Sequence, residues 1–252
     1  MPAFIFGDVH GDAVQLRRLI SKVRHEAGPD VDLYSVGDLV DRGQDSRGVI
    51  ETCIEEGVKP ILGNHELWFR DLVSGEGFDS FALQSIMGGK ATLASYGFVN
   101  LDPGQIERDA ESCIPAAHRE YILDAPFHRK VEVGGRTYRL THGGISAKDG
   151  NGLWESVTKH ISDVSVACSL IVGIMATEFL DRMIWVGAKQ RNVFRFPDGS
   201  VQVFGHTPWR DGAEINVDGG YIALDTGCGT CPPFRLSGVL LTDDGGQRII
   251  SA

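Results

Sequence analysis

Cysteine is scarce in this sequence, and no long hydrophobic run is present. The cysteines are odd in number and lack the dense spacing of a disulfide framework. They stand at Cys53, Cys113, Cys168, Cys228 and Cys231. The most apolar stretch, residues 164–176, is shorter than the about 20 residues that span a bilayer, so we predict a buried helix there. Residues 1–8 lack the charged start and long apolar run of a signal peptide. We therefore expect a cytoplasmic protein without a membrane segment.

Basic residues are a minority of the charged residues. The chain has 24 Lys and Arg against 34 Asp and Glu, a formal charge of -10. Nucleic-acid backbones and anionic membranes would repel such a protein, so neither is an expected partner. A small anionic substrate is compatible with this charge, because metal ions and nearby arginines act at shorter range. The length of 252 residues and the hydrophobic content of 42% predict one domain over residues 1–252.

Short apolar runs alternate with helical patterns in the first quarter of the chain. The predicted strands are Ala3–Phe6, Asp32–Val36 and Lys59–Leu62. Helical spacing of apolar residues follows the first two, and Asp12 stands where a helix N-cap is expected. Alternation of strand and helix is typical of a parallel sheet with right-handed crossovers.

The remainder of the chain separates into a helical part and a strand-rich part. Residues 67–127 show no regular alternation and predict a helix-leaning insertion. A hairpin is expected from two runs joined at Gly134 and Gly135, with a second sheet and a final turn after it. The predicted runs are Lys130–Val133, Arg136–Thr141, Ser200–Phe204, Glu214–Val217, Tyr221–Leu224 and Gly238–Leu241, with the turn at residues 243–246.

Glycine stands beside metal-binding side chains directly after five of the predicted strands. These segments are residues 7–11, 37–43, 63–66, 142–144 and 205–207. Because ligands gather beyond the carboxyl ends of strands in α/β sheets, the five loops are expected to converge on one site. The predicted metal ligands are Asp8, His10, Asp38, Asn64, His142 and His206.

Carboxylate, imidazole and amide ligands without a thiolate suit Mn²⁺, Fe²⁺ or Zn²⁺. Asp8 and His10 are two residues apart and are expected to face the same ion. Asp38 is predicted to bridge two ions, with Asn64 and the two late histidines on the second. Two ions about 3.5–4 Å apart hold a phosphoryl group and lower the pKa of water, which makes a bridging hydroxide the expected nucleophile.

The motifs G-D-x-H-G, G-D-x-V-D-R-G and G-N-H-E occur in order within residues 7–66. With His142 and residues 205–207 they resemble the calcineurin-like metallophosphoesterases, and within them the phosphoprotein phosphatases, including bacterial and phage members. This resemblance implies a four-layer α/β sandwich, in which two mixed β-sheets are flanked by helices and the metal site lies at the carboxyl ends of the strands. It also implies two divalent ions as cofactors, and we expect Mn²⁺, with Fe²⁺ or Zn²⁺ as alternatives.

Further roles follow from the same resemblance. His65 resembles the general acid that protonates the leaving oxygen, and Asp41 resembles its hydrogen-bond partner. Arg42, with Asn64, is expected to bind the phosphate group. The chain has Leu62 where many family members have an arginine. The family's later phosphate-binding arginine is assigned to Arg191, with Lys189 and Arg182 as rivals.

Three functions are compared. Asp41 with Glu66 favours a phosphatase acting on phosphoserine and phosphothreonine in proteins, with phosphotyrosine as a further candidate substrate. The alternative is a symmetrical dinucleoside tetraphosphate hydrolase or another small-molecule phosphoesterase. The tetraphosphate hydrolases resemble the chain in the first motif. They tend, however, to have alanine at the position of Asp41 and aspartate at the position of Glu66. A non-catalytic binding module is disfavoured, since no expected metal ligand is missing. Cys228 and Cys231 are interpreted as incidental thiols, and Asp225 as a structural residue near the metals.

Overall fold

The protein is built from two five-stranded mixed β-sheets that pack face to face and carry helices on their outer faces. A computed structural model describes residues 1–164, 166–172, 192–209, 211–232 and 234–252. The strand orders are β10-β9-β1-β2-β3 in the first sheet and β4-β5-β6-β8-β7 in the second. This architecture confirms the predicted four-layer sandwich.

The first sheet contains the early parallel strands and the end of the chain. β1 pairs in parallel with β2, and β2 with β3, as the alternation of strand and helix predicts. β9 pairs antiparallel with the other edge of β1, and β10 pairs antiparallel with β9. The strands are β1 (Ala3–Phe6), β2 (Asp32–Ser35), β3 (Lys59–Pro60), β9 (Ser237–Leu241) and β10 (Gln247–Ser251).

The second sheet contains the predicted hairpin and the three following strands. β4 and β5 are antiparallel and meet at Gly134 and Gly135, both of which have positive φ as a tight hairpin turn requires. β5, β6 and β8 are parallel, and β7 pairs antiparallel with β8. The strands are β4 (His128–Val133), β5 (Arg136–Thr141), β6 (Val201–Phe204), β7 (Glu214–Asn216) and β8 (Tyr221–Ala223).

Helices lie between the strands and form most of the predicted insertion. The Asp12 side chain accepts a hydrogen bond from the Gln15 backbone and caps the first helix, as predicted. The helices are α1 (Ala13–Ala27), α2 (Ser46–Glu55), α3 (Asn64–Ser74), α4 (Gly89–Ser95), α5 (Pro103–Cys113), α6 (Ala116–Leu123) and α7 (Ala147–Val157), with a 3-10 turn at Ser80–Leu83. Residues 67–127 are therefore largely helical, in agreement with the sequence pattern.

Alternation along β1 explains why both faces of the first sheet are buried. Ala3 and Ile5 pack into an apolar cluster that includes residues of the second sheet, such as Leu140 and Val203. Phe4 and Phe6 point to the opposite face and pack in the cluster that contains the helices of the insertion. Because side chains alternate along a strand, one continuous apolar run holds the sheets and the helix layer together.

One expectation about the chain's later part is wrong, and one observed strand has no counterpart among the predicted runs. The run Gly238–Leu241 was predicted in the second sheet, but β9 pairs with β1 in the first sheet. Its residues are all buried, so the strand has apolar contacts on both faces and its sequence does not indicate which sheet it joins. β10 was not predicted beyond its preceding turn, because an edge strand with mostly polar and half-buried residues has a weak pattern.

The apolar segment predicted as a buried helix is helical at residues 166–172. One face is buried, with Cys168, Ile171 and Val172 packed against Phe194 and Phe196, while Val166 and Leu170 are exposed. The predicted buried helix is therefore buried on one face over these residues, and residues 165 and 173–176 lie outside the described part. Among the described residues, no helix has the length and apolar character needed to cross a membrane.

Candidate metal centre

Five strand ends bring the predicted metal ligands to one edge of the two sheets. Asp8 and His10 follow β1, and Asp38 follows β2. Asn64 begins α3 just beyond β3, while His142 and His206 follow β5 and β6 of the second sheet. The site therefore lies where the carboxyl ends of parallel strands from both sheets meet.

Two glycines allow the strand ends to approach each other closely. A Cβ atom on Gly63 would lie 2.2 Å from Asp38 Oδ1, and one on Gly205 would lie 1.9 Å from Asp8 Oδ1. Both distances are far shorter than a van der Waals contact, so any larger residue would displace a predicted metal ligand. Close packing against the metal ligands therefore explains why glycine occurs at positions 63 and 205.

Several functional side chains are carried on left-handed backbone. The positive φ angles are 46° at His10, 52° at Asp38, 73° at Asp41, 67° at Arg42 and 70° at His206. Such conformations cost about 1–3 kcal/mol each in non-glycine residues and are found mainly at functional sites. Their concentration in these loops indicates that the surrounding hydrogen bonds hold the loops in a shape that the isolated chain would not adopt.

Acceptor atoms of three side chains converge beside Asp38. His142 Nε2 lies 3.1 Å from Asn64 Oδ1 and 3.1 Å from His206 Nδ1, while Asn64 Oδ1 lies 2.9 Å from His206 Nδ1. His142 Nδ1 donates to the Val36 carbonyl, which directs Nε2 into this cluster. A carbonyl partner that fixes the opposite ring nitrogen is typical of a metal-binding histidine.

A second group of ligand atoms also includes Asp38. The ligand atoms of His10, Asp38 and His65 are within 4.8 Å of one another, as are those of Asp38, His142 and His206. Asp38 belongs to both groups, which is the arrangement that a bridging carboxylate requires. His10 Nδ1 donates to the Val40 carbonyl, so its Nε2 faces Asp38 Oδ2 at 3.6 Å.

Asp8 lies beside these groups and is part of neither. Both of its carboxylate oxygens accept a hydrogen bond from the His206 backbone, at 3.2 and 3.0 Å. Burial, followed by the nearby Asp225 carboxylate, raises its pKa well above the usual range for aspartate. A carboxylate in such surroundings needs a positive charge nearby to remain ionised.

The histidines of the site differ in the pKa values of their imidazoles. Burial lowers the pKa of His10 well below its usual range and that of His206 to about 4, so both rings are neutral and offer lone pairs. Burial also lowers the pKa of His142, but the adjacent Asp38 carboxylate outweighs it and the result is about 10. A cation that binds His142 must displace this proton.

The residues present fit a pair of divalent cations. Carboxylate, imidazole and amide groups, buried or half-buried, face each other at 2.9 to 3.2 Å, close to the separation of neighbouring ligands in an octahedral shell about 2.1 Å from a shared ion. This convergence is unfavourable unless a proton or a cation lies among the acceptors. The six side chains predicted from the sequence are thus brought together, and their assignment to individual ions stays a prediction.

His65 and Asp41 form a hydrogen-bonded pair next to the metal ligands. His65 Nδ1 lies 2.8 Å from Asp41 Oδ2, and its Nε2 lies 4.0 Å from Asp38 Oδ2. The Asp41 carboxylate also accepts from Trp68 Nε1 at 3.0 Å and from Thr92 Oγ1 at 2.8 Å. These contacts orient the imidazole and leave Nε2 directed towards the cleft, as a general acid requires.

Arg42 lies at the edge of the same cleft. Its Nη1 is 2.7 Å from His10 Nε2. Since guanidinium donates only, that nitrogen of His10 accepts, which agrees with the neutral ring described above. Arg42 lines a cleft of about 670 Å³ together with Asp38, Asn64 and His65. The predicted phosphate-binding side chains Arg42 and Asn64 therefore line the same cleft, whereas Arg191, Lys189 and Arg182 lie outside the described residues.

Glu66 has a structural role that the sequence reasoning missed. Its Oε2 accepts from the backbone N–H of Asp38 and of Gly63, both at 2.8 Å. Its Oε1 accepts from Leu39 at 2.7 Å and from Val40 at 3.1 Å. One buried carboxylate thereby joins the loop after β2 to the start of α3. The capping-box spacing of Gly63 and Glu66 was the available signal for one of these four contacts.

Replacing Glu66 with glutamine is expected to destabilise the fold by about 3 kcal/mol, because two or more buried backbone N–H groups would face an amide nitrogen instead of an oxygen. Thermal or urea unfolding of the metal-free protein measures this loss. The exposed Glu55→Gln variant on α2 is the matched control. Equal stability of both variants would contradict the assigned role.

The C-x-x-C segment packs against the first metal-binding loop. Both cysteines are free thiols, and the buried Cys228 Sγ donates to the Val9 carbonyl. Cys231 lines the cleft. Asp225 is buried next to this segment and accepts from the Gly227 backbone at 2.8 Å, and burial raises its pKa to about 6. These contacts agree with a structural interpretation of Asp225.

The fold and the site together define a metal-dependent phosphoester hydrolase. A sequence model described as calcineurin-like phosphoesterase matches residues 1–210. The chain belongs to this family, whose members use a dinuclear metal centre.

Relatives and solved structures extend the comparison. The chain is 41% identical over 69 residues to the protein described as symmetrical bis(5'-nucleosyl)-tetraphosphatase of Acidovorax sp. (strain JS42). A crystal structure described as a candidate diadenosine tetraphosphatase superposes with a TM-score of 0.58 and 20% identity, covering 100% of this chain and 93% of the other. A serine/threonine phosphatase from Saccharomyces cerevisiae superposes with a TM-score of 0.53 and 16% identity, covering 100% and 79%.

These similarities differ in what they support. The curated relative is matched over 27% of this chain and 24% of its own length, so the chain spans about a quarter of that protein in the match. At 20% and 16% identity, the two structural similarities establish the fold alone. The class of enzyme is therefore settled by the family, and the substrate is a separate question.

Proposed function

We propose that this protein is a symmetrical dinucleoside tetraphosphate hydrolase that uses two divalent metal ions, with Mn²⁺ as the expected ion. The observation that carries the proposal is the 41% identity to a symmetrical bis(5'-nucleosyl)-tetraphosphatase. The cleft of about 670 Å³ beside the ligands also falls within the range of small-molecule sites. The reaction adds one water to the tetraphosphate bridge and releases two nucleoside diphosphates.

Asp41 and Glu66 are the two residues whose identity favours a phosphoprotein phosphatase in the sequence. Both side chains are buried, with exposures of 0% and 1%. Asp41 accepts from His65, Trp68 and Thr92, and Glu66 accepts from backbone groups only. Residues that organise the site without facing the cleft do not select between a protein and a nucleotide. The 41% identity to a symmetrical tetraphosphatase therefore favours a dinucleotide substrate over a phosphoprotein.

The chain's own residues account for binding and proton transfer. When bound, the metal pair supplies Lewis-acid stabilisation of phosphoryl oxygens and lowers the pKa of water. Arg42 donates to the phosphoryl oxygens, where negative charge increases during transfer. His65 Nε2 donates a proton to the departing oxygen, while Asp41 stabilises the charged ring before transfer. Asn64 would serve both as an oxygen ligand and as a phosphate contact through its amide.

Kinetics with matched substrates test the proposal. Purified protein with Mn²⁺ is incubated separately with diadenosine tetraphosphate, a phosphoserine peptide and p-nitrophenyl phosphate. We expect kcat/KM for the dinucleotide to exceed that for the peptide by at least about a hundredfold, a ratio that differential contacts to a substrate commonly supply. ADP should be the product containing adenosine. Hydrolysis of the phosphopeptide without the dinucleotide would instead support a phosphoprotein phosphatase.

A further inference from the structure

Helix α4 is attached firmly to the loop that carries Asp41 and Arg42. The Arg42 backbone N–H donates to the Gly88 carbonyl at 3.2 Å. Thr92 Oγ1 donates to Asp41 Oδ1 at 2.8 Å and accepts from the Asp41 backbone at 2.9 Å. A Cβ on Gly88 would lie 2.6 Å from the Arg42 nitrogen, so the two segments are in direct backbone contact. The position of α4 relative to the phosphate-binding arginine is therefore fixed.

Lys90 lies on this helix at the edge of the cleft. It lines the cleft with Arg42 and Ser85, and its side chain is exposed. Among the residues that the structure describes, Lys90 forms no ion pair. Arg42 and Lys90 are the two lysine or arginine residues of the described cleft lining, and Asp38 is its one carboxylate. Since Asp38 belongs to the metal centre, the Lys90 ammonium is available to an anionic ligand.

The charge of the substrate decides whether a second cation is useful. A phosphate monoester has one phosphoryl group, and the metal ions and Arg42 compensate its charge. A tetraphosphate bridge has further phosphate groups, which a protein of formal charge -10 repels unless a cation lies near them. A lysine ammonium on a flexible stem suits such a group, because it contacts phosphate as a mobile point charge.

We infer that Lys90 binds a phosphate group next to the one undergoing hydrolysis and is a specificity-determining residue for substrates with a phosphate chain. This inference rests on the proposed function. It names Lys90 as the side chain that makes the enzyme prefer phosphoanhydrides to phosphate monoesters. The ligand class is a linear polyphosphate of at least two phosphate groups, of which one occupies the metal centre.

Variants of Lys90 test the inference through a ratio of two activities. Lys90→Met removes the charge and keeps an apolar stem, and Lys90→Arg keeps the charge. We expect Lys90→Met to lower the ratio of kcat/KM for diadenosine tetraphosphate to kcat/KM for p-nitrophenyl phosphate by about tenfold, the scale of one charge-assisted hydrogen bond. Lys90→Arg should restore most of the ratio. An unchanged ratio in Lys90→Met would overturn the inference.

A lysine elsewhere on the surface serves as the matched control. Lys22 is exposed on α1 and donates to the Ser251 carbonyl in β10, away from the cleft lining. Lys22→Met should leave both activities and their ratio at the level of the unmodified protein. A similar fall in this variant would mean that the change reflects net charge, and it would count against a local contact at Lys90.

A binding measurement separates failure of this inference from failure of the proposed function. Calorimetric titration with tripolyphosphate and with orthophosphate, with Mn²⁺ in excess over both, requires no turnover. We expect Lys90→Met to weaken tripolyphosphate binding about tenfold relative to orthophosphate. If the unmodified protein does not hydrolyse the dinucleotide, the proposed function fails, and this ratio still decides the role of Lys90. Equal affinities of Lys90→Met and the unmodified protein for tripolyphosphate would overturn the role assigned to Lys90.

Discussion

Replacing Asp38 with asparagine is expected to lower kcat for p-nitrophenyl phosphate by at least about a thousandfold, because a neutral amide cannot bridge two cations as a carboxylate does. Asp38 is the one ligand shared by both groups of candidate metal-binding atoms in the described chain. Asparagine keeps the size of the side chain and tolerates the positive φ of 52° at this position. Steady-state kinetics measure the loss of kcat, and the metal content of the purified variant measures the loss of metal binding.

Metal removal and restoration provide the control for this prediction. Chelation of the unmodified protein should abolish activity, and Mn²⁺, Fe²⁺ and Zn²⁺ added separately should restore it to different extents, with Mn²⁺ the most effective. Asp30→Asn, which changes an exposed carboxylate after α1, should retain both activity and metal. Full activity of Asp38→Asn, or activity that survives complete chelation, would exclude the proposed metal centre.

Replacing His65 with glutamine is expected to reduce kcat about a hundredfold through loss of the proton donor. The reduction should be larger for phenyl phosphate than for p-nitrophenyl phosphate, since the more basic phenoxide depends more on protonation as it leaves. His25→Gln on the exposed face of α1 is the matched control. A uniform loss across both substrates would indicate that His65 contributes to binding and not to proton transfer.

A double-mutant cycle with Asp41 tests the pairing of the two residues. The His65 Nδ1 to Asp41 Oδ2 distance of 2.8 Å makes them one unit, so Asp41→Asn should cost little once His65 has been replaced. Asp41→Asn alone should lower kcat, because the imidazole would lose the carboxylate that orients and stabilises it. Additive losses would mean that Asp41 acts mainly through its contacts with Trp68 and Thr92.

The same catalytic apparatus is compatible with several substrates. Asp41 and Glu66 are buried and bond to other groups of the protein, so they determine the shape of the loops. Ser85 and Lys90 come from the helical insertion and face the cleft. Residues of this second kind are in contact with solvent and with any ligand, and they are the ones expected to separate a phosphoanhydride from a phosphoprotein. We therefore expect substrate preference to depend on the insertion more than on the motifs.

Local sequence determined most of the candidate site. Asp8, His10 and Asp38 follow strands with strong apolar patterns, and the adjacent glycines mark loops in which a larger residue would clash. The early parallel strands and the hairpin were predictable for the same reason, since their periodicity depends on contacts within a few residues. Acidic and imidazole side chains repeated at strand ends therefore indicate a metal site before the tertiary contacts are known.

The tertiary structure decided what depends on distant partners. β9 joins the first sheet because it pairs with the edge of β1 that β2 leaves free. All residues of β9 are buried, so its sequence pattern does not indicate which sheet it joins. Glu66 joins two loops by accepting hydrogen bonds from backbone groups. Lys90 lines the cleft because Gly88 and Thr92 bind α4 to the loop of Asp41 and Arg42. Backbone acceptors and donors are the same for every residue type, so contacts of this kind leave almost no signature in the sequence.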